Sequence, residues 1–198
     1  MKKRVTIIGG SIAGLTSALV LASAKNNELD FEINIIDEGK ADLNLVAIYN
    51  TPLFPKGIIG KEIIQNTKEQ INSLLNVNYI SGRVDEISGS KGNLKVIGEG
   101  INIESDYIIL ATGANSFNIK GLGNIVKEHT LISKPNKIRL EYKNRQEVKE
   151  GIYVAGIASG VTSMVTTAMG SASEAACALL SDIKGVIVTP HDTPTSRK

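Results

Sequence analysis

Tryptophan is missing from these 198 residues, cysteine occurs once (Cys177) and histidine twice (His129 and His191). One cysteine rules out an internal disulfide and any Cys-x-x-Cys redox or zinc pair within the chain. Two isolated histidines argue against a histidine-based metal site or a catalytic triad, so no metal ligand is expected. No run reaches the roughly 18 consecutive apolar residues that span a bilayer. The net charge is only +2, with signs interspersed, and no basic cluster is interleaved with aromatics. Nucleic acid and membranes are therefore not expected partners. The chain has a hydrophobic content of 42%, enough for one good core with room for a small subdomain.

The N-terminus carries a misleading pattern. Lys2-Lys3-Arg4, an apolar run and Ala22-Ser23-Ala24 before Lys25 imitate a secretory signal with its cleavage site. The run contains three glycines and several hydroxyls, and cleavage there would remove the first strand. The expectation is a folded N-terminus and a cytoplasmic protein.

Residues 4–20 are what the chain does have. Val5–Ile8 reads as a short apolar strand, Gly9 as a tight turn, and Ile12 onward as a helix running to about Ala24. Strand, glycine turn and helix together build a dinucleotide diphosphate site. The new helix points its free N–H groups, and its positive dipole end, at a phosphate. Gly14 lets the helix lie close to the strand. The middle position of the Gly-x-Gly-x-x-Gly pattern is Ser11, whose hydroxyl can donate to a phosphate oxygen. Phe31–Ile36 reads as a second strand ending in Asp37-Glu38-Gly39. An acidic residue about 20 positions beyond the glycine turn holds the adenosine ribose in such folds. Asp37 is the better candidate and Glu38 the fallback, with a solvated strand end as the plainer alternative.

Further along, Lys61–Leu75 has helical apolar spacing (Ile63, Ile64, Ile71, Leu74, Leu75). A β-meander is predicted over Val77–Ser81, Arg83–Ile87, Leu94–Ile97 and Ile101–Glu104, from turn chemistry and alternation. Asp106–Ala114 reads as a buried parallel strand running into a small-residue turn, and Gly151–Gly156 as another. Short strands are expected near Val126 and Ile138–Tyr142, and a last helix from Gly160 to Ser181. The expected architecture is α/β, a central parallel sheet with helices on one face and the meander on the other. Residues 1–188 form one domain and 189–198 a flexible tail.

The segments Ile-Ile-Gly-Gly-Ser-Ile-Ala-Gly-Leu, Ile-Ile-Asp-Glu, Ile-Leu-Ala-Thr-Gly-Ala and Gly-Ile-Tyr-Val-Ala-Gly resemble the Rossmann-like FAD-binding domain of two-dinucleotide-binding-domain flavoproteins. Within that group, Asn50-Thr-Pro-Leu-Phe-Pro-Lys-Gly-Ile-Ile-Gly-Lys-Glu62 is similar to a loop of thioredoxin reductases. The resemblance implies that Gly9, Ser11, Ile12, Ala13 and Gly14 wrap the diphosphate of FAD and that Asp37 binds the ribose. It implies Val84 at the adenine, Asn50 near the isoalloxazine, and Ala111, Thr112 and Gly113 along the dinucleotide. Gly156 and Ile157 would meet the ribitol, with Val165 and Thr166 offering N–H groups to the flavin pyrimidine edge.

Three departures from the family stand out. The ribitol-binding Asp is Ile157 here, and a Gly-Gly-Gln loop after Asp37 is absent. Asn115–Glu150 has room for about one βαβ unit in place of an NADPH domain. Without Cys-x-x-Cys, thioredoxin reduction by the family's route is excluded. Flavin monooxygenases also carry a Gly-Gly-Ser-x-Ala-Gly turn, but they are longer and lack the Phe-Pro loop.

The resemblance therefore implies a minimal FAD-binding oxidoreductase or electron carrier, fed by free NADH or NADPH or by a redox partner protein. A homodimer is the expectation by analogy. The alternative is a non-catalytic nucleotide-binding or scaffold domain. No residue is named as a catalytic acid, base or nucleophile, as suits a protein whose cofactor carries the chemistry. Cys177 is expected to be a structural thiol, and His129 and His191 to be solvated. Tyr49 is expected either to shield the flavin or to pack elsewhere.

Overall fold

The computed structural model describes residues 2–191. Residues 192–198 of the expected tail lie outside the described residues. The chain runs β1 (Lys2–Ile8), α1 (Ile12–Ser23), β2 (Asp30–Asp37), β3 (Ala47–Ile48), β4 (Ile58–Ile59), α2 (Gly60–Asn72), β5 (Asn78–Ser81), β6 (Val84–Ser90), β7 (Asn93–Gly98), β8 (Ile101–Ser105) and β9 (Tyr107–Leu110). It continues through β10 (Val126–Glu128), β11 (Ile138–Leu140), β12 (Glu147–Lys149) and β13 (Ile152–Val154) to α3 (Val165–Lys184).

Six strands form one sheet in the order β12-β13-β9-β1-β2-β5, parallel except for the β12–β13 pair. The central strands are buried on both faces, which is why Ile7, Ile33, Ile35, Ile108, Ile109 and Val154 run so continuously apolar. One face is covered by the three helices. Helix α1 is built from small and aliphatic residues and is buried on most of its circumference, because β1 lies on one side and α3 on the other. Ser17 of α1 donates to the Ala172 carbonyl of α3 at 3.2 Å, a contact that only small side chains permit. Helix α2 is amphipathic instead and turns Ile63 and Ile71 inward. The opposite face is covered by the antiparallel β6-β7-β8 sheet, whose Val84, Ile87, Leu94, Val96 and Ile101 meet Ile8, Ile36, Ile108 and Leu110.

The expected α/β architecture is present, with four corrections. The strand expected at Val77–Ser81 is not the first strand of the meander. It is β5, paired in parallel with β2 at the sheet edge, where Asn78 Nδ2 donates to Asn34 Oδ1 at 3.0 Å. The Ser81-Gly82 turn imitates a hairpin, but Gly82 N donates to the Asp37 carbonyl and holds β5 to β2. The last helix begins at Val165 rather than Gly160, which sits at φ 92° and ends a short 3-10 turn over Gly156–Ser159. Residues 115–150 hold three short strands and no helix, so they do not form a βαβ unit. His129 is buried rather than solvated.

The end of the sheet opposite the glycine turn is closed by ions. Arg4 N donates to Asp106 Oδ2 at 2.9 Å, and Arg4 Nη2 reaches Asp106 Oδ1 at 2.9 Å and Nη1 reaches Glu104 Oε2 at 3.0 Å. Burial raises the Asp106 carboxyl pKa, but the Arg4 guanidinium and N–H outweigh it and hold it below the ordinary carboxylate value. A depressed carboxylate stabilises the fold above its unfolded pKa of about 3.9, and that stability is lost as pH falls through the folded value. Asp106→Ala is expected to cost about 1.5–3 kcal/mol in urea unfolding at neutral pH. It should also make the acid limb of the stability curve shallower below pH about 4.

Candidate functional site

The site begins where β1 ends. Gly9 sits at φ 111°, and a Cβ there would lie 2.2 Å from the Ala111 carbonyl oxygen. A Cβ on Gly14 would lie 1.9 Å from the Gly9 carbonyl oxygen. Only glycine fits either place, so the turn and the first helical turn are pressed onto the strand. Ser11 is the N-cap of α1, but its hydroxyl does not cap the helix. The N–H groups of Ile12, Ala13 and Gly14 thus have no intrahelical or capping partner. A second helix start is open in the same way. Met164 precedes α3 without a side-chain cap, leaving the N–H groups of Val165, Thr166 and Thr167 free of one.

Both helix starts face one cleft of about 870 Å³, within the ~300–1,000 Å³ of small-molecule and cofactor sites. It opens along the carboxyl ends of β1, β2, β9 and β13, where ligands bind in open α/β sheets. Gly9, Ser11, Ile12, Ala13, Asp37, Glu38, Asn50, Val84, Ala111, Thr112, Gly113, Ile157 and Val165 line it. Seven separated stretches of sequence therefore converge on one place. Gly14, Gly156 and Thr166, also expected at the ligand, do not line it. Gly14 and Gly156 act in the packing behind the wall, Gly156 with its Cα facing Ala13, whose Cβ would be 2.5 Å from a Cβ added there.

The Asp37 carboxylate is held rigidly. Gly10 N donates to Oδ1 at 2.9 Å and Gly39 N to Oδ2 at 3.0 Å. Each oxygen keeps a lone pair for a further donor such as a ribose hydroxyl. Thr112 Oγ1 is buried and has no hydrogen-bond partner. An unpaired buried hydroxyl costs free energy unless something bonds it, so this cleft wall is incomplete as it stands. A ligand of dinucleotide chemistry fits what is present: free N–H groups for a diphosphate, a carboxylate for a ribose, and apolar Ile36, Val84 and Ile157 for rings and linker.

His129, expected to be solvated, supports the cleft wall from behind through Ile157. Its ring is buried, with Nε2 3.1 Å from the Ile157 carbonyl oxygen, and Leu131 N donates to Nδ1 at 3.2 Å. The peptide N–H can only donate, so Nδ1 accepts and the proton sits on Nε2, donating to Ile157. The ring ties the 129–137 segment to the turn after β13. His129→Ala should lower stability by about 1–3 kcal/mol, because the Ile157 carbonyl keeps only Gly160 N as a donor and Leu131 N loses its acceptor. Chemical unfolding beside the wild type measures it. Tyr49 is exposed at 69% and is not among the residues lining the cleft. Burial pushes the Cys177 thiol pKa up, as suits an unreactive structural cysteine. Arg83, Asn115, Ser116, Lys134 and Lys137 also line the cleft. They lie in turns and loops, where periodicity carries no signal.

The fold and cleft can be set beside known proteins. Residues 3–183 match the pyridine nucleotide-disulphide oxidoreductase family. The chain belongs to that family. Among curated relatives it is similar to thioredoxin reductase 2 of Arabidopsis thaliana, 28% identical over 130 residues that cover 62% of this chain and 34% of the relative. It is likewise similar to thioredoxin reductase 1 of Saccharomyces cerevisiae, 32% identical over 120 residues, 57% of this chain and 37% of the relative. The chain thus spans about a third of the length of these relatives. Among solved structures, a thioredoxin reductase from Gloeobacter violaceus superposes with TM-score 0.75 at 15% identity, covering 97% of this chain and 99% of the other. An oxidoreductase from Agrobacterium tumefaciens gives TM-score 0.75 at 17% identity, covering 93% and 99%. At such identities these structures establish the fold, a thioredoxin reductase-like mixed α/β architecture. Among the described residues no helix is long and apolar enough to cross a membrane, and no group of three or more His, Cys, Asp and Glu could hold a metal ion.

Proposed function

We propose that this chain binds FAD in the cleft and serves as an oxidoreductase or electron-transfer flavoprotein, with electrons supplied by free NADH or NADPH or by a partner protein. The observation that carries this reading is the meeting of the Gly9 turn, two uncapped helix starts and the Asp37 carboxylate in one cleft. Family membership supports it. Bound FAD supplies reversible one- and two-electron chemistry that no side chain here provides. The N–H groups of Ile12 and Ala13 hold the diphosphate, and Asp37 accepts from the ribose hydroxyls. Thr112 Oγ1 finds its missing partner along the ligand. Val165 presents its N–H to the flavin pyrimidine edge, and Asn50 lies near the ring. Excluding water from the ring falls to Ile48, Ile157 and Ala168.

Ile157 favours a second reading, a nucleotide-binding domain without redox activity, since the resemblance places a ribitol-binding Asp there. Anaerobic mixing of FAD-loaded protein with NADH and NADPH separates the two. Bleaching of the flavin absorbance by either supports the oxidoreductase with a diffusing donor. Flavin that stays oxidised with both nucleotides leaves a partner protein as the donor or favours the non-catalytic domain.

A further inference from the structure

The cleft is electrostatically lopsided. Its carboxylates, Asp37, Glu38 and Asp42, stand at or just beyond the end of β2. The cations on that side are already matched, with Lys40 Nζ 2.8 Å from Glu38 Oε2 and Arg83 Nε 3.5 Å from Asp85 Oδ1. Across β1, on the side of β9, stand Asn115, Ser116, Lys134 and Lys137, with no carboxylate among the lining residues. Neither lysine has a carboxylate within 4.0 Å among the described residues.

The placement of these lysines is built. Ile138 N donates to the Ala114 carbonyl at 2.9 Å, clamping the segment onto the end of β9. His129 clamps its other end onto Ile157. Asn136 takes φ 60° and turns the chain between the two lysines. Lys137 Nζ donates to Asn115 Oδ1, which leaves two of its three donors unused, and Lys134 keeps all of its own. The same wall carries the unpaired Thr112 hydroxyl. Two positive charges, a hydroxyl and an amide around a cleft, with no anion to balance them, describe a receptor for phosphate oxygens.

We propose that Lys134 and Lys137, with Asn115 and Ser116, form a phosphate subsite on the β9 side of the cleft. The proposal deepens the FAD reading, because the anion is either the diphosphate of the cofactor itself or that of a nicotinamide dinucleotide lying over it. The subsite makes charge, rather than ring shape alone, a determinant of which ligands the cleft accepts.

The test uses inorganic pyrophosphate as probe, titrated calorimetrically into flavin-free wild type and the Lys134→Gln/Lys137→Gln double variant. Equal melting temperatures of the two proteins establish that both are folded. Removing two charged donors is expected to weaken pyrophosphate by about tenfold or more. An FAD affinity that falls with it, and loaded protein that no longer takes pyrophosphate, assign the subsite to the cofactor's diphosphate. An unchanged FAD affinity, with pyrophosphate still binding loaded wild type and not the loaded variant, assigns it to a second dinucleotide. Pyrophosphate and FAD affinities both unchanged by the double substitution overturn the proposal. Pyrophosphate binding that depends on the lysines in a protein that takes no FAD overturns the FAD reading and leaves the subsite standing.

Discussion

Gly9→Ala is expected to abolish tight dinucleotide binding and to destabilise the protein, whereas Gly170→Ala is expected to stabilise it. The substitution is the same and the surroundings decide the sign. At Gly9 the backbone sits at φ 111° and the new Cβ arrives 2.2 Å from the Ala111 carbonyl oxygen. Neither the strand end nor the carbonyl can give way without moving the β1–β9 pairing, where Ala111 N donates to the Ile8 carbonyl at 2.8 Å. Overpacking of this kind costs about 1–3 kcal/mol, before the strain of a left-handed alanine is counted. The N–H groups of Ile12 and Ala13 move with the turn. Losing two hydrogen bonds to a charged diphosphate, at about 1.5–3 kcal/mol each, lowers FAD affinity by about a hundredfold or more. Gly170 is exposed in α3, and a Cβ there meets nothing within 4 Å. Alanine should add about 0.5–1 kcal/mol by restricting the unfolded chain. Urea unfolding and flavin fluorescence titration of both variants read the contrast. A Gly9→Ala protein that binds FAD like the wild type would place the diphosphate elsewhere.

Ile157→Asp is expected to raise FAD affinity by about tenfold or more. Ile157 lines the cleft beside Ala155 and Val165 and brings no hydrogen-bonding side chain to it. The resemblance places the ribitol against this residue, where related flavoproteins carry an aspartate. A hydrogen bond to a charged group contributes about 1.5–3 kcal/mol, or one to two decades of affinity. The side chain also packs against the helix-side core, so the flavin-free variant should unfold at somewhat lower denaturant. The two readouts move in opposite directions, which separates a ligand contact from a general change in stability. Unchanged or weakened FAD binding would mean that the ribityl chain does not run past Ile157.

Much of the architecture was legible from local signals. The β1–turn–α1 unit announces itself because the requirement for glycine at positions 9 and 14 is imposed by neighbours five residues apart, or by a strand whose apolar run is equally plain. Asp37 was legible because β2 ends where the glycine turn does. What escaped depends on partners distant in sequence. Whether 78–81 joins the meander or the parallel sheet is decided by Asn34, 44 residues before Asn78. His129 is buried because the turn at Ile157, 28 residues away, offers it a carbonyl. Lys134 and Lys137 stand in an irregular segment with no motif to mark them, and only the clamp of Ile138 onto Ala114 brings them to the cleft. The late start of α3 has a local cause: Gly160 in the left-handed region ends one turn before Val165 begins the next element.

Equilibrium titration of flavin-free wild-type protein with FAD, with melting temperature followed in the same samples, tests the account most directly. Saturable binding of one FAD per chain is expected, with a rise in melting temperature corresponding to about 2.7 kcal/mol when free FAD exceeds its dissociation constant about a hundredfold. Protein that remains colourless after incubation with excess FAD, with an unchanged melting temperature, would contradict it.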